Sequence, residues 1–227
     1  MKHIYNYKYG KLVFKNKTNR NEFFKNNSKT YQEYINDIFK KYYKINTNIL
    51  DVGANVGIFT ISFSKISKNC MIHSFECDQE TFNYLEETVK KNKENNVKIY
   101  NFGLSDQNKE SIMNCSLIKP GINSLTLDLS KSSNIVQKNV KLKTLDSLNL
   151  TNISFIKVDI ERHELYFLKG AKNTLINNNA TVILEIPCRN EEEIELHNNC
   201  VELMKSYGYK FYKKIVDKDY VFRKEEF

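Results

Sequence analysis

Residues 48–64 read NILDVGANVGIFTISFS. An apolar run reaches Asp51, two glycines follow four positions apart, and a second apolar run begins. Gly53 permits the positive φ of a tight turn, and Gly57 lets the backbone approach a ligand closely at a helix start. Those are the needs of a cofactor loop between a strand and a helix, although a plain strand–helix turn has them too. The spacing separates two kinds of cofactor. A dinucleotide loop follows GxGxxG, because its pyrophosphate must touch backbone. Here the pattern is D-x-G-x-N-x-G, with Asn55 where the second glycine would stand. A cofactor without phosphate needs no glycine there. Asp51 would repel a pyrophosphate but suits a cationic amino-acid end. S-adenosylmethionine, with a sulfonium, an ammonium and no phosphate, meets both conditions.

Outward from this loop, strands and helices alternate. TNILDVG is a buried strand, and Val56 to Ile66 a helix. CMIHSFE is a strand, Gln79 to Asn92 a helix, and NVKIYNFGL a strand. Residues 109–145 interrupt the order with short strands and loops (ESIMNCSLI, NSLTLDL, NVKLKTL). ISFIKVDI (strand), HELYFLKGAKNTLI (helix), ATVILEI (strand) and EEEIELHNNCVELMKSY (helix) resume it. YKFYKKIV and DYVFRK, joined by DKD, read as a hairpin. Alternation of this kind gives an α/β fold, a mainly parallel sheet with helices on both faces, and the hairpin adds an antiparallel edge. Before the loop, apolar positions from Tyr31 to Tyr42 keep a helical period starting after Ser28. Residues 1–27 are basic and aromatic and read as an N-terminal arm or short hairpin on what is otherwise one domain over 1–227.

Ligands on such a sheet bind outside the carboxyl ends of its strands. The second strand stops at Glu76, where a carboxylate can accept both hydroxyls of a ribose. The third runs into Leu104-Ser105-Asp106, near an adenine edge. The fourth ends in KVDIERHE, with Asp159, Glu161, His163 and Glu164 inside six residues. Acids in a helix's first turn account for Glu161 and Glu164 but not for Asp159 ending a buried strand. Lys157, within that apolar strand, needs a partner. The fifth strand stops at Glu185. Asp159 and Glu185, on neighbouring strand ends, can share proton work or hold a divalent cation such as Mg²⁺. Glu161, Glu164 and His163, the last with a suitable intrinsic pKa, are further candidates for the same work.

Composition narrows the partners. The chain has 227 residues, is 41% hydrophobic and has a formal net charge of +8. The cations are mostly lysines spread along the chain, which suits a solvated surface or an anionic partner. Five singly placed cysteines with no CxxC argue against a disulfide framework or a zinc knuckle and read as core residues. No apolar run is long enough for a membrane span. MKHIYNYKYGKLVF lacks the apolar centre of a secretory signal, so the expected location is cytoplasmic.

From Tyr31 to Phe222 the motifs, taken in order, resemble the FkbM family of S-adenosylmethionine-dependent methyltransferases. ILDVGANVGIFTI is similar to the family's first motif, and HSFECDQETFNYLEETVKKN to its second, with Cys77 where proline is usual. NFGLSDQN, VKLKTLDSL, ISFIKVDIERHELYFLKGAKNTL and TVILEI resemble the rest, with Arg162 where glycine is commonest. The resemblance implies a Rossmann-like class I methyltransferase fold with a seven-stranded sheet. It implies a cofactor loop of Asp51, Gly53, Asn55 and Gly57, ribose on Glu76, adenine near Ser105 or Asp106, and Asp159 at the junction with the acceptor. It also implies O-methylation of a sugar or natural-product hydroxyl, here expected on a nucleotide-sugar or glycan. Ribose 2′-O-methylation of RNA, which the charge would suit, and cofactor binding without catalysis are the alternatives.

Overall fold

The computed structural model describes residues 2–26, 29–116, 123–125, 135–215 and 218–224. At its centre a seven-stranded sheet contains β3 (Asn48–Val52), β4 (Met71–Phe75), β5 (Val97–Tyr100), β9 (Ile153–Val158), β10 (Thr181–Glu185), β11 (Lys210–Ile215) and β12 (Asp219–Arg223). Their order is β11-β12-β10-β9-β3-β4-β5. The strands β5, β4, β3, β9 and β10 pair in parallel. Parallel strands covered on both faces must be apolar throughout, and β9 and β10 are buried at every residue. Side chains alternate between two cores. Leu50, Ile156, Val182 and Phe222 face α5 (Glu164–Gly170), α6 (Lys172–Asn177) and α7 (Glu191–Ser206). Ile49, Phe155, Ile183 and Val221 face α2 (Lys29–Tyr42) and α3 (Ile58–Ile66).

The carboxyl-terminal hairpin does not simply add an antiparallel edge. β12 is antiparallel to both β10 and β11, so the edge strand β11 runs with the parallel set. Composition explains the order: β12 (DYVFR) is almost wholly buried, whereas β11 (KFYKKI) exposes five of its six residues. Two other expected elements are divided. NVKIYNFGL splits at Asn101–Phe102 into β5 and β6 (Gly103–Leu104), because Asn101 Nδ2 donates to the Glu76 carbonyl (3.1 Å) and turns the chain. HELYFLKGAKNTLI breaks at Ala171 between α5 and α6.

The amino-terminal stretch forms the hairpin β1 (His3–Tyr7) and β2 (Gly10–Phe14), followed by α1 (Lys17–Asn26). The hairpin is fastened to α4 (Gln79–Asn92): Val13 N donates to Thr88 Oγ1 (2.9 Å), and the Asn92 amide brackets Lys11. In the interruption, β7 (Lys109–Ser116) and β8 (Ile135–Lys143) make an antiparallel pair that β6 joins. The strand expected at NSLTLDL lies mostly outside the described residues; its Ser124 forms a bridge with Asn114. The described cysteines are all unpaired, and Cys70, Cys115 and Cys200 are buried. Among the described residues no helix is long and apolar enough to cross a membrane.

Candidate active site

The loop after β3 turns through three left-handed residues, Gly53 (φ 81°), Asn55 (φ 50°) and Gly57 (φ 94°). Asn tolerates that conformation better than most L residues, which accounts for its place in the loop. A Cβ on Gly53 would stand 1.9 Å from the Asp159 carbonyl oxygen, so the loop can pass this close to β9 only with glycine. The Gly53 and Ala54 amides bond the Phe75 carbonyl (3.0 and 2.9 Å), which ties the loop to the end of β4.

Glu76 lies beside it, half-buried. Its carboxylate accepts from Asn55 N (3.0 Å) and Asp78 N (2.8 Å). Burial, with the charge of Asp78, outweighs these donors and raises its pKa to about 7. A pair of sugar hydroxyls donating to it would favour the ionised form.

Asp51 does not face the open side of the loop. It is 1% exposed, and the Thr60 hydroxyl donates to it at 2.6 Å, within 2.9 Å of Ser74 Oγ. It anchors α3 beneath the loop, with its pKa raised by burial. The expectation that it meets a cationic cofactor end is corrected accordingly.

Ser105 and His163 are also buried. Ser105 Oγ donates to Asp106 Oδ1 (3.0 Å) and lies 2.9 Å from His163 Nε2. The serine proton is engaged, so His163 donates from Nε2, and the bare lone pair of Nδ1 is left without a partner among the described residues. Burial lowers the His163 pKa to about 4, and the ring stacks on Tyr166 (4.7 Å, 16°). His163 is thus turned toward Ser105 and takes no place in the acid group formed by its neighbours. In this position it fixes the turn that carries Ser105 and Asp106, the latter half-buried.

The acids do come together. One carboxylate oxygen from each of Asp159, Glu161 and Glu185 lies within 4.8 Å of the others. Asp159, 25% exposed, accepts from the buried Lys157 Nζ (3.0 Å) and is hydrogen-bonded to Glu185. Burial opposes its charge, but Lys157 and Lys218 prevail and hold its pKa below the usual range. Glu185 is pushed the other way, first by burial and then by the charge of Asp159, although Lys218 pairs with it. Glu161 rises to about 9 through burial and the charges of Asp159 and Glu185. Glu164, fully buried, rises to about 8, again through burial, and one of its oxygens has no partner among the described residues. Asp159 is therefore the carboxylate whose charge its neighbours favour, and Glu185, pushed the other way, is hydrogen-bonded to it.

Sequence reasoning missed three members of this group. The Tyr31 hydroxyl, from α2, lies 3.2 Å from Glu185 Oε2 and 3.3 Å from Asp219 Oδ1. Lys218 and Asp219 come from the start of β12. Tyr31 carries only a helical signal, and Lys218 and Asp219 a turn signal; no local pattern ties them to Glu185. Two surface clefts of about 480 and 290 Å³ lie away from this edge, beside β7–β8 and at the amino end of β10, and neither contains the acid group.

Sheet order and the loop after β3 together are those of a Rossmann-like α/β fold. A family model, the methyltransferase FkbM domain, matches residues 51–211, and the chain belongs to that family. The fold is similar to an FkbM methyltransferase from Methylobacillus flagellatus KT (TM-score 0.54, 12% identity), covering 83% of this chain and 50% of that one. The chain thus spans half the length of the Methylobacillus protein. It is also similar to a Streptococcus mutans protein crystallised with SAH (TM-score 0.53, 11% identity, 84% and 94% covered). A third is a Clostridium thermocellum protein provisionally assigned as an rRNA methylase (TM-score 0.57, 9% identity, 86% and 96% covered). At these identities the likeness is one of fold. No curated protein gives a significant match.

Proposed function

We propose that the chain is an S-adenosylmethionine-dependent O-methyltransferase acting on a sugar hydroxyl of a nucleotide-sugar or glycan. The observation that carries this reading is Asp159: two lysines favour its charge, it is partly exposed, and its carbonyl lies so close to the cofactor loop that only glycine fits at position 53. The residues present fit the cofactor. Glu76 offers a carboxylate at the ribose position, and the Gly53 turn leaves no side chain between loop and strand end. S-adenosylmethionine supplies a methyl group activated by its sulfonium. The protein's part is to orient the hydroxyl, exclude water and accept the hydroxyl proton. Asp159 accepts it, Lys157 and Lys218 keep it ready by stabilising the carboxylate, and Glu185 holds it in place.

A divalent cation fits less well. Asp159 and Glu185 each already carry a lysine ammonium, which an ion between them would have to displace. No step is routed through a metal. Ser124, from the interruption between β7 and β8, donates to the Glu161 carbonyl (2.8 Å), which brings this residue to the turn carrying Glu161.

A methyl-transfer screen with labelled cofactor over nucleotide-sugars, glycans and capped RNA tests the reading, run with and without chelator. Label on a sugar ring is expected, unchanged by chelator. Asp159→Asn should lose at least about a hundredfold in turnover, the lower end of the range for a lost general base, with cofactor affinity within a few-fold. Far faster labelling of RNA would replace the sugar with ribose 2′-O-methylation. Tight cofactor binding with no turnover on any acceptor would favour a binding protein.

A further inference from the structure

Tyr31 is 7% exposed and lies outside the segment that matches the family model, as do Lys218 and Asp219. Its ring packs edge-on against Phe59 (5.9 Å, 83°), and the Lys157 ammonium sits over that same Phe59 ring at 4.7 Å. Its hydroxyl lies between Glu185 Oε2 and Asp219 Oδ1, at 3.2 and 3.3 Å. Both carboxyls are buried, at 7% and 0% exposure, and the second Asp219 oxygen has no partner among the described residues. Lys218 takes the other Glu185 oxygen.

One phenol proton therefore serves two buried acceptors. Without the hydroxyl, Glu185 Oε2 and Asp219 Oδ1 lose their shared partner, and the spacing it sets between the end of β10 and the start of β12 is released. Glu185 would be left to Lys218, which is 42% exposed, and to its hydrogen bond with Asp159. The charged groups that act on Glu185 are Lys157, Asp159, Glu161 and Glu164 within or after β9, Arg189 after β10, and Lys218 and Asp219 at β12. The phenol bridges the end of β10 and the start of β12 through its contacts with Glu185 and Asp219.

We propose that Tyr31 is a positioning residue for the transfer step: it pins Glu185 between Asp219 and Asp159, so that Asp159 keeps a fixed direction toward the acceptor. This rests on the reading of Asp159 as the base. It assigns part of the reaction to a helix that the family model does not include.

The test is Tyr31→Phe, which keeps the ring and its Phe59 contact and removes only the hydroxyl. In crystal structures of the full chain, the Glu185 carboxyl is expected to leave contact with Asp159 in the variant. On the acceptor that the screen identifies, kcat should fall at least tenfold, with acceptor KM within threefold and cofactor affinity by calorimetry unchanged. An unmoved Glu185, or kcat within twofold of wild type, would overturn the proposal. So would a joint loss of turnover and cofactor binding, which marks a merely structural role. Asp159→Asn run alongside separates the two ideas. If it stays fully active, the base assignment falls and this inference with it; if it is inactive while Tyr31→Phe is not, only the inference falls.

Discussion

Arg162 holds a left-handed backbone conformation (φ 73°) directly after another left-handed residue, Glu161 (φ 51°). An L side chain there costs about 1–2 kcal/mol, and glycine avoids the cost. The guanidinium offsets it by pairing with Glu193, which is 1% exposed and shared with Arg189. Arg189, followed by burial in the opposite sense and then Arg162, sets the Glu193 pKa at about 2. Arg162→Ala loses the pair and keeps the strain, whereas Arg162→Gly loses the pair and sheds the strain. The glycine variant should therefore be the more stable by about 1 kcal/mol, the reverse of the usual order, and urea denaturation of the two decides it. At the other end of the site, Glu76→Ala should weaken S-adenosylmethionine binding at least tenfold, about 1.5–3 kcal/mol, while the chain stays folded. Unchanged affinity by calorimetry would take Glu76 out of the site.

Between elements, side-chain amides act as fasteners. Asn92, in the last turn of α4, accepts from Lys11 N (2.8 Å) and donates to the carbonyls of Lys11 and Thr88 (both 2.7 Å). Asn92→Ala should cost about 1–3 kcal/mol and speed hydrogen exchange in β2, with cofactor affinity unaffected. Protection in β2 equal to wild type would show that the hairpin is held by its apolar contacts alone. This docking was not legible in the sequence, where residues 1–27 showed only aromatic and basic character. The parallel strands were legible because burial on both faces leaves near-continuous apolar runs, as in ISFIKV and TVILE. The loop after β3 and the acids at the ends of β9 and β10 were legible because residue type and strand end coincide. Burial was not: Asp51 and His163 looked like site residues from their positions, and only packing shows that each is spent on an internal hydrogen bond. Tyr31 could not be found, since its partners are set by tertiary structure alone.

The whole molecule carries an unusual balance of buried charge. His73 and His163 have pKa values lowered to about 4 by burial, so protonation favours the unfolded chain, and their stability contribution is lost as pH falls from about 6.5 toward 4. Glu76, Glu161, Glu164 and Asp219 have values raised to between about 7 and about 9, chiefly by burial. Their contribution is full below the ordinary carboxylate pKa and is lost as pH rises through those folded-state values. The ligand-free protein should thus lose melting temperature from pH 7 to 9, and Glu164→Gln should flatten that decline. A melting temperature that holds level or climbs over this range would contradict the assignment. The placement of β12 bears on how the molecule comes into being. A ribosome makes β12 after every other strand of the sheet, yet it sits between β10 and β11. A nascent chain can therefore join its first five parallel strands early, but β11 has no neighbour to pair with until the last strand emerges and slides between. Lys218 and Asp219 arrive with that strand, so the acid group around Glu185 is completed only once β12 has been made.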